Sequence, residues 1–262
     1  MKNKSGSEIN VKLQELVNIV KTLRSPKGCE WDKAQTTSSL IPFFIEEVYE
    51  LIEGIDNKDN KNIREELGDV LLHIVFQSQI ASEEMDFNIN NVIDDLNIKL
   101  IDRHPHIFKN LEEKTISSEM KSWEKQKQKQ KGRISRLDGV PDILPSIVSS
   151  QRIQDKASSA GFDWDKTSEV WEKLDEELKE LKEAQLQNNF DNVEEEIGDV
   201  LFTIVNLSRF FGVSAENALR KSNKKFIQRF QLLEKKIIKS SRNIEDHSKK
   251  ELNDIWDEVK KS

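Results

Sequence analysis

The residues best suited to chemistry in this sequence are two sets of four carboxylates at one shared spacing. Glu47 and Glu50 are followed, after fifteen residues, by Glu66 and Asp69; Glu177 and Glu180 are followed in the same way by Glu196 and Asp199. Side chains three apart on a helix share a face about one turn apart, so each pair aims two carboxylates in one direction. Two such helices packed antiparallel would converge four of them. Like charges held close raise one another's pKa and destabilise a fold unless a cation neutralises them. Oxygen donors unaccompanied by His or Cys favour Mg²⁺ or Mn²⁺ over Zn²⁺, and Mg²⁺ binds through a few carboxylates together with water and substrate phosphates. The spacing points to phosphate chemistry.

In a chain with 48 acidic residues, a single Glu-x-x-Glu is ordinarily a wet helix face. Context separates these sets from that background. Gly68-Asp69-Val70-Leu71 and Gly198-Asp199-Val200-Leu201 insert an acid into an apolar run, which places Asp69 and Asp199 at the edge of a buried stripe. A glycine inside a helix costs up to about 1 kcal/mol, so Gly68 and Gly198 suggest close approach of a ligand or a neighbouring helix. Lys225 and Arg229 lie four apart on one helical face, as do Lys99 and Arg103 in the first half. Alone such pairs are surface charges; beside an acidic metal site they become phosphate clamps. His104-Pro105-His106 reads as a helix-terminating turn, because proline breaks the helix and the second half has no equivalent. Trp31, Trp164, Trp123 and Trp256 read as packing residues, and Cys29 as a bystander.

The elements that would position these groups are helices. Apolar residues recur at helical spacing over 9–23, 42–55, 61–85 and 89–103, and again over 146–160, 168–187, 191–211 and 214–239. The second half repeats the first. EEVYELIE at 46–53 matches EELKELKE at 176–183, and IREELGDVL at 63–71 matches VEEEIGDVL at 193–201, both offset by 130, with eleven of the seventeen positions identical. Trp31-Asp32-Lys33 recurs as Trp164-Asp165-Lys166, and Trp123 as Trp256, offset by 133. The sequence therefore predicts an all-α fold: two homologous modules, 1–127 and 143–262, joined by a polar linker over 128–142.

Composition agrees. Charged residues make up 34% of the chain and Gly and Pro together number fourteen, which suits amphipathic helices with solvated outer faces. The net charge of −7 argues against a nucleic-acid polymer or an anionic membrane surface as partner. A single cysteine and the lack of any long apolar run lead to the expectation of a cytoplasmic chain.

With those motifs in view, the chain resembles the MazG nucleoside triphosphate pyrophosphohydrolases over nearly its whole length. The likeness rests on the doubled EE-x-x-E and E-x-x-D sets, Gly28-Cys29-Glu30-Trp31-Asp32-Lys33, Arg103-His104-Pro105-His106 and Gly161-Phe162-Asp163-Trp164. The resemblance implies a tandem of four-helix-type modules, a homodimer, Mg²⁺ dependence with Mn²⁺ able to substitute, and cleavage of nucleoside triphosphates to monophosphate and pyrophosphate with broad base tolerance. Carried over residue by residue, metal ligation falls on Glu177, Glu180, Glu196 and Asp199. Substrate contacts fall on Lys173, Glu195, Asp199, Lys225, Arg229 and Trp256, with Glu176 or Glu177 placing the water. It also implies that the second module is catalytic and the first, with Glu47, Glu50, Glu66 and Asp69, is structural or weakly active. The sequences agree with such an asymmetry, because Lys173 is replaced by Phe43 and Lys182 by Ile52 in the first module. Two alternatives stand beside this reading: a base-specific dUTP or dCTP pyrophosphatase of the same superfamily, and a non-catalytic nucleotide-sensing or dimerisation protein.

Overall fold

Each amphipathic stretch folds as the helix its periodicity demands. The computed structural model describes residues 4–108, 134–187, 189–239 and 243–261, and among these there is no strand. The chain divides into two compact units, Met1–Glu113 and Lys114–Ser262.

The first unit contains α1 (Lys4–Leu23), α2 (Glu30–Ala34), α3 (Ile41–Asn57), α4 (Asn60–Glu84), α5 (Ile89–Arg103) and α6 (Pro105–Phe108). Helix α4 is central and packs on α1, α3 and α5. Its buried side chains Val75, Phe76 and Ile80 join Val20 and Leu40, with Leu13, Leu16, Val17 and Leu72 at the margin. Pro42 sits in the first turn of α3, where its missing N–H is no loss. Lys58 ends that helix in the left-handed region, with φ of 55°. The Asp59 carboxylate then accepts from the backbone N–H of Lys61 and Asn62 and starts α4, a cap contributing about 1 kcal/mol. The buried Arg24 guanidinium ties the α1–α3 connection down, donating to both Glu83 oxygens and to the carbonyls of Asp32 and Gln35.

The second unit contains α7 (Ser146–Ser159), α8 (Thr167–Leu186), α9 (Phe190–Phe210), α10 (Ala215–Lys239), a short 3₁₀ turn (Ile244–Asp246) and α11 (Lys249–Lys261). Helix α9 takes the place of α4: it packs on α7, α8 and α10. Asn189 caps it through the N–H of Asn192, at the position matching Asp59. Val170, Leu174 and Leu207 form its core with Val200 and Phe210. Leu233, Ile237 and Val259 form a second cluster where α11 lies on α10. Arg209 pairs with Asp163 and so fixes the loop carrying Trp164.

The helices expected from sequence are present to within a few residues at most ends, α1 apart, which begins five residues earlier. Three more are added. Helices α2 and α6 are too short for any periodicity to register, and α6 turns the expected terminating turn at Pro105 into a new helical start. Helix α11 does carry a readable pattern, with Leu252, Ile255, Trp256 and Val259 along one face. Trp123 and residues 128–133 of the expected linker lie outside the described residues. Residues 134–144 form turns, and the buried Lys156 ammonium reaches the carbonyls of Arg136 and Asp138 at 3.3 and 3.4 Å. No single helix among the described residues is long and apolar enough to cross a membrane.

Candidate active site

The buried stripe of α8 runs from Val170 through Leu174, and the next turn on that face carries Glu177. This register makes Glu177 only 5% exposed although it is a carboxylate. On α9, Glu196 is half-buried and Asp199 exposed, so Asp199 stands further into solvent than its place in an apolar run suggests. One oxygen from each of Glu177, Glu196 and Asp199 lies within 4.8 Å of the others. Burial raises the Glu196 pKa, and the charges of Glu180, Glu177, Asp199 and Glu195 raise it further. Glu196 Oε2 is buried and accepts no hydrogen bond among the described residues.

A cation is already present. Lys173 Nζ lies 2.7 Å from Glu177 Oε1 and 2.9 Å from Glu176 Oε1, one turn earlier on α8. Those two hydrogen bonds, Glu177's first, hold the ammonium pKa above its ordinary value.

The first unit builds the same triplet without the lysine. Oxygens of Glu47, Glu66 and Asp69 also lie within 4.8 Å of one another. Glu66 is 5% exposed and accepts from Asn62 Nδ2 at 2.8 Å. The space for that amide comes from Gly54, where a Cβ would stand 2.3 Å from Asn62 Oδ1. Glu47 is raised to about 7, chiefly by burial, then by its hydrogen bond to Glu66 and the charges of Asp69 and Glu50. Phe43 occupies the position of Lys173 and packs edge-on against Trp31, ring centroids 5.9 Å apart. His73, one turn beyond Asp69 and buried against the Phe44 ring, went unremarked in the sequence. Its signal is the four-residue spacing from Asp69. Burial holds its pKa low, against the opposing pull of Asp69.

The remaining expected site residues are placed less centrally. Glu50 and Glu180 are exposed and stand outside the two triplets; the charge of Glu50 helps to raise Glu47, and that of Glu180 helps to raise Glu196. Glu176 is exposed and engaged by Lys173, and Glu195 is exposed beside Glu196. Lys225 and Arg229 lie on α10, exposed and half-buried, and neither joins an ion pair among the described residues. Trp256 is half-buried on α11, its ring 5.2 Å from that of Phe226, so packing holds it. His104 Nδ1 meets the Leu100 carbonyl at 2.8 Å and finishes α5. A Cβ at Gly68 or Gly198 would meet nothing within 4 Å, so no neighbouring helix among the described residues makes the close approach the sequence suggested.

Paired helices that each lend acids to one buried-edge cluster, twice in one chain, define a tandem all-α protein with two carboxylate centres. Comparison with known proteins sharpens that class. The family model described as the MazG nucleotide pyrophosphohydrolase domain matches residues 35–108 and again 166–232, which takes in both triplets. The chain belongs to the MazG family. It is 47% identical to the nucleoside triphosphate pyrophosphohydrolase/pyrophosphatase MazG of Thermotoga maritima, over 97% of each chain. It is 36% identical to the nucleoside triphosphate pyrophosphohydrolase of Escherichia coli, over 95% of this chain and 97% of that one. A further relative, the Mycolicibacterium smegmatis nucleoside triphosphate pyrophosphohydrolase, is 34% identical over 50% of this chain and 42% of its own.

Proposed function

We propose that this chain is a nucleoside triphosphate pyrophosphohydrolase that acts through the carboxylate centre of its second module and tolerates many bases. Family membership and the names of its full-length relatives support the activity. The observation that supports the site is the convergence of Glu177, Glu196 and Asp199 beside Lys173. The donor set fits a hard divalent ion: its atoms are all oxygens, three carboxylates meet with a lysine on Glu177 alone, and Glu196 Oε2 is buried with no hydrogen-bond partner among the described residues.

Glu177, Glu196 and Asp199 would hold Mg²⁺, or Mn²⁺ in its place, with Glu180 one turn along α8 as the outer ligand. When bound, such an ion supplies Lewis-acid polarisation of phosphate and a lowered pKa for water. Lys173 reaches a phosphate oxygen from its place next to Glu177. Lys225 and Arg229, which join no ion pair among the described residues, neutralise the outer phosphates, and Trp256 and Glu195 border the nucleoside. Glu176 or Glu177 orients the attacking water toward the α-phosphorus. The linker at 128–142 separates this catalytic module, 143–262, from a first module, 1–127, that is structural or weakly active.

A second copy of the chain completes the reading. Leu67, Leu71 and Ile74 on α4, and their counterparts Ile197, Leu201 and Ile204 on α9, are between 40% and 52% exposed. Apolar rows on that scale mark a protein contact, and a homodimer would cover them. A cytoplasmic setting accords with nucleotide substrates and an exposed free thiol at Cys29.

Incubating ATP and dUTP with enzyme and Mg²⁺, and identifying the first products, tests the activity. Monophosphate and pyrophosphate from both are expected. Diphosphate with orthophosphate would overturn the reaction, cleavage of dUTP alone the base tolerance, and nucleotide binding without product the enzymatic reading itself.

A further inference from the structure

Lys173 presents a conflict in the proposed site. Its ammonium is in contact with Glu177, which is buried and belongs to the ligand triplet, and with Glu176. An ammonium and a divalent ion compete for the same carboxylate oxygen, because each needs its negative charge. A phosphate bound to the metal would call for the same lysine. The side chain therefore has two partners it cannot serve at once. Its reach allows both: four methylenes on α8 leave it 34% exposed, whereas the Glu177 side chain it touches is 6% exposed.

We propose that Lys173 is a resident counterion that occupies the second carboxylate centre in the absence of nucleotide and transfers to the polyphosphate when nucleotide arrives. Lys173 then weakens the binding of metal alone and strengthens the binding of metal with nucleotide, so that the two load as a unit. This rests on the reading of Glu177, Glu196 and Asp199 as metal ligands. The first module shows the alternative. There Phe43 stands in place of the lysine and packs against Trp31, so the matching triplet has no cation at that position. A device of this kind suppresses idle metal occupancy and ties the divalent ion's affinity to the presence of a polyanion.

The test is Mn²⁺ binding by the full-length chain, followed by electron paramagnetic resonance, with and without the uncleavable α,β-methylene ATP. Every protein carries Glu66→Gln and Asp69→Asn to silence the first centre. Without nucleotide, Lys173→Met should bind Mn²⁺ roughly fivefold or more tightly than its parent. Lys173→Arg, which keeps the charge, should bind it as weakly as the parent does. The enhancement of Mn²⁺ affinity by the nucleotide analogue should be smaller in Lys173→Met than in the parent. Equal or weaker Mn²⁺ binding by Lys173→Met, or an unchanged enhancement, overturns the proposal and leaves the metal site standing. Absence of Mn²⁺ binding in all three proteins overturns the metal site itself. Lys173→Ala, measured in parallel with a thermal melt, separates loss of the cation from any disturbance of α8.

Discussion

The two modules hold the same three acids at the same spacing and neutralise them by different means. In the second, Lys173 pairs along α8 with Glu177 and Glu176, one turn further on. In the first, Phe43 faces Trp31 instead, and Glu47 keeps a proton up to about pH 7 by burial and by sharing it with Glu66. A carboxylate cluster is costly wherever it forms, so its presence twice says little about which copy works. The groups around the acids carry that information. A lysine can be handed to a phosphate, whereas a proton shared between two glutamates offers a polyanion nothing.

The sharpest way to break this comparison is to remove one ligand from each copy. Glu196→Gln and Asp199→Asn should each lower turnover by on the order of a hundredfold or more, because the remaining charges are left poorly compensated and the metal weakened. Glu66→Gln and Asp69→Asn should leave most of the activity. Circular dichroism of all four variants guards against loss of the fold. Steady-state rates on ATP that fall equally in both pairs would make the first centre catalytic too.

A smaller effect sharpens the contrast through pH. The folded pKa of Glu47 lies near 7, above the ordinary 4.5 of the unfolded chain. Between those values the native state keeps a proton that the unfolded chain has released. The stabilisation this represents is complete below about pH 4.5 and is lost as pH rises through 7. Metal-free protein in EDTA should therefore melt at progressively lower temperature from pH 5 to pH 8 in the transition belonging to the first unit. Glu47→Gln, which has no proton to lose, should flatten that slope. Phe43→Lys, which installs the cation of the second module, should flatten it too by favouring the charged form. Slopes in both variants that run parallel to the parent would sink the shared-proton account.

How much of this was legible beforehand differs by feature. Acids three apart and repeated at an offset of 130 announce two helical pairs, because side-chain direction on a helix follows from spacing alone. The exclusion of Glu50 and Glu180 from the triplets is not legible in that way. Each lies three residues, about 4.5 Å, along its helix from the acid that does join, and which of the two meets the facing helix depends on the packing register. The caps at Asp59 and Asn189 show how closely the second module copies the first. The partner of Lys173 escaped for a different reason: spacing puts it beside Glu176 and Glu177, but it takes the fold to show that Glu177 is the buried one. The exposure of Asp199 likewise depends on where α9 leaves the core.

The finest difference concerns the two glycines. Gly68 and Gly198 occupy matching helical turns, each one residue before its aspartate, and a Cβ at either would meet open space. Alanine is favoured over glycine in a helix by up to about 1 kcal/mol. Nothing among the described residues opposes that gain, so Gly68→Ala and Gly198→Ala should both raise the unfolding midpoint in the absence of nucleotide, and by similar amounts. Their effects on catalysis should then diverge. Gly198 is the residue before Asp199 in the centre proposed to hold substrate, and a methyl added there is expected to crowd a bound polyphosphate. Gly198→Ala should raise KM for ATP severalfold, while Gly68→Ala, beside a centre that takes little or no substrate, should leave KM unchanged. Thermal melts and initial rates on the two variants decide it. A Gly198→Ala enzyme that is both more stable and unimpaired would mean that the glycine is not kept for the substrate, and an impaired Gly68→Ala enzyme would mean that the first module is no bystander.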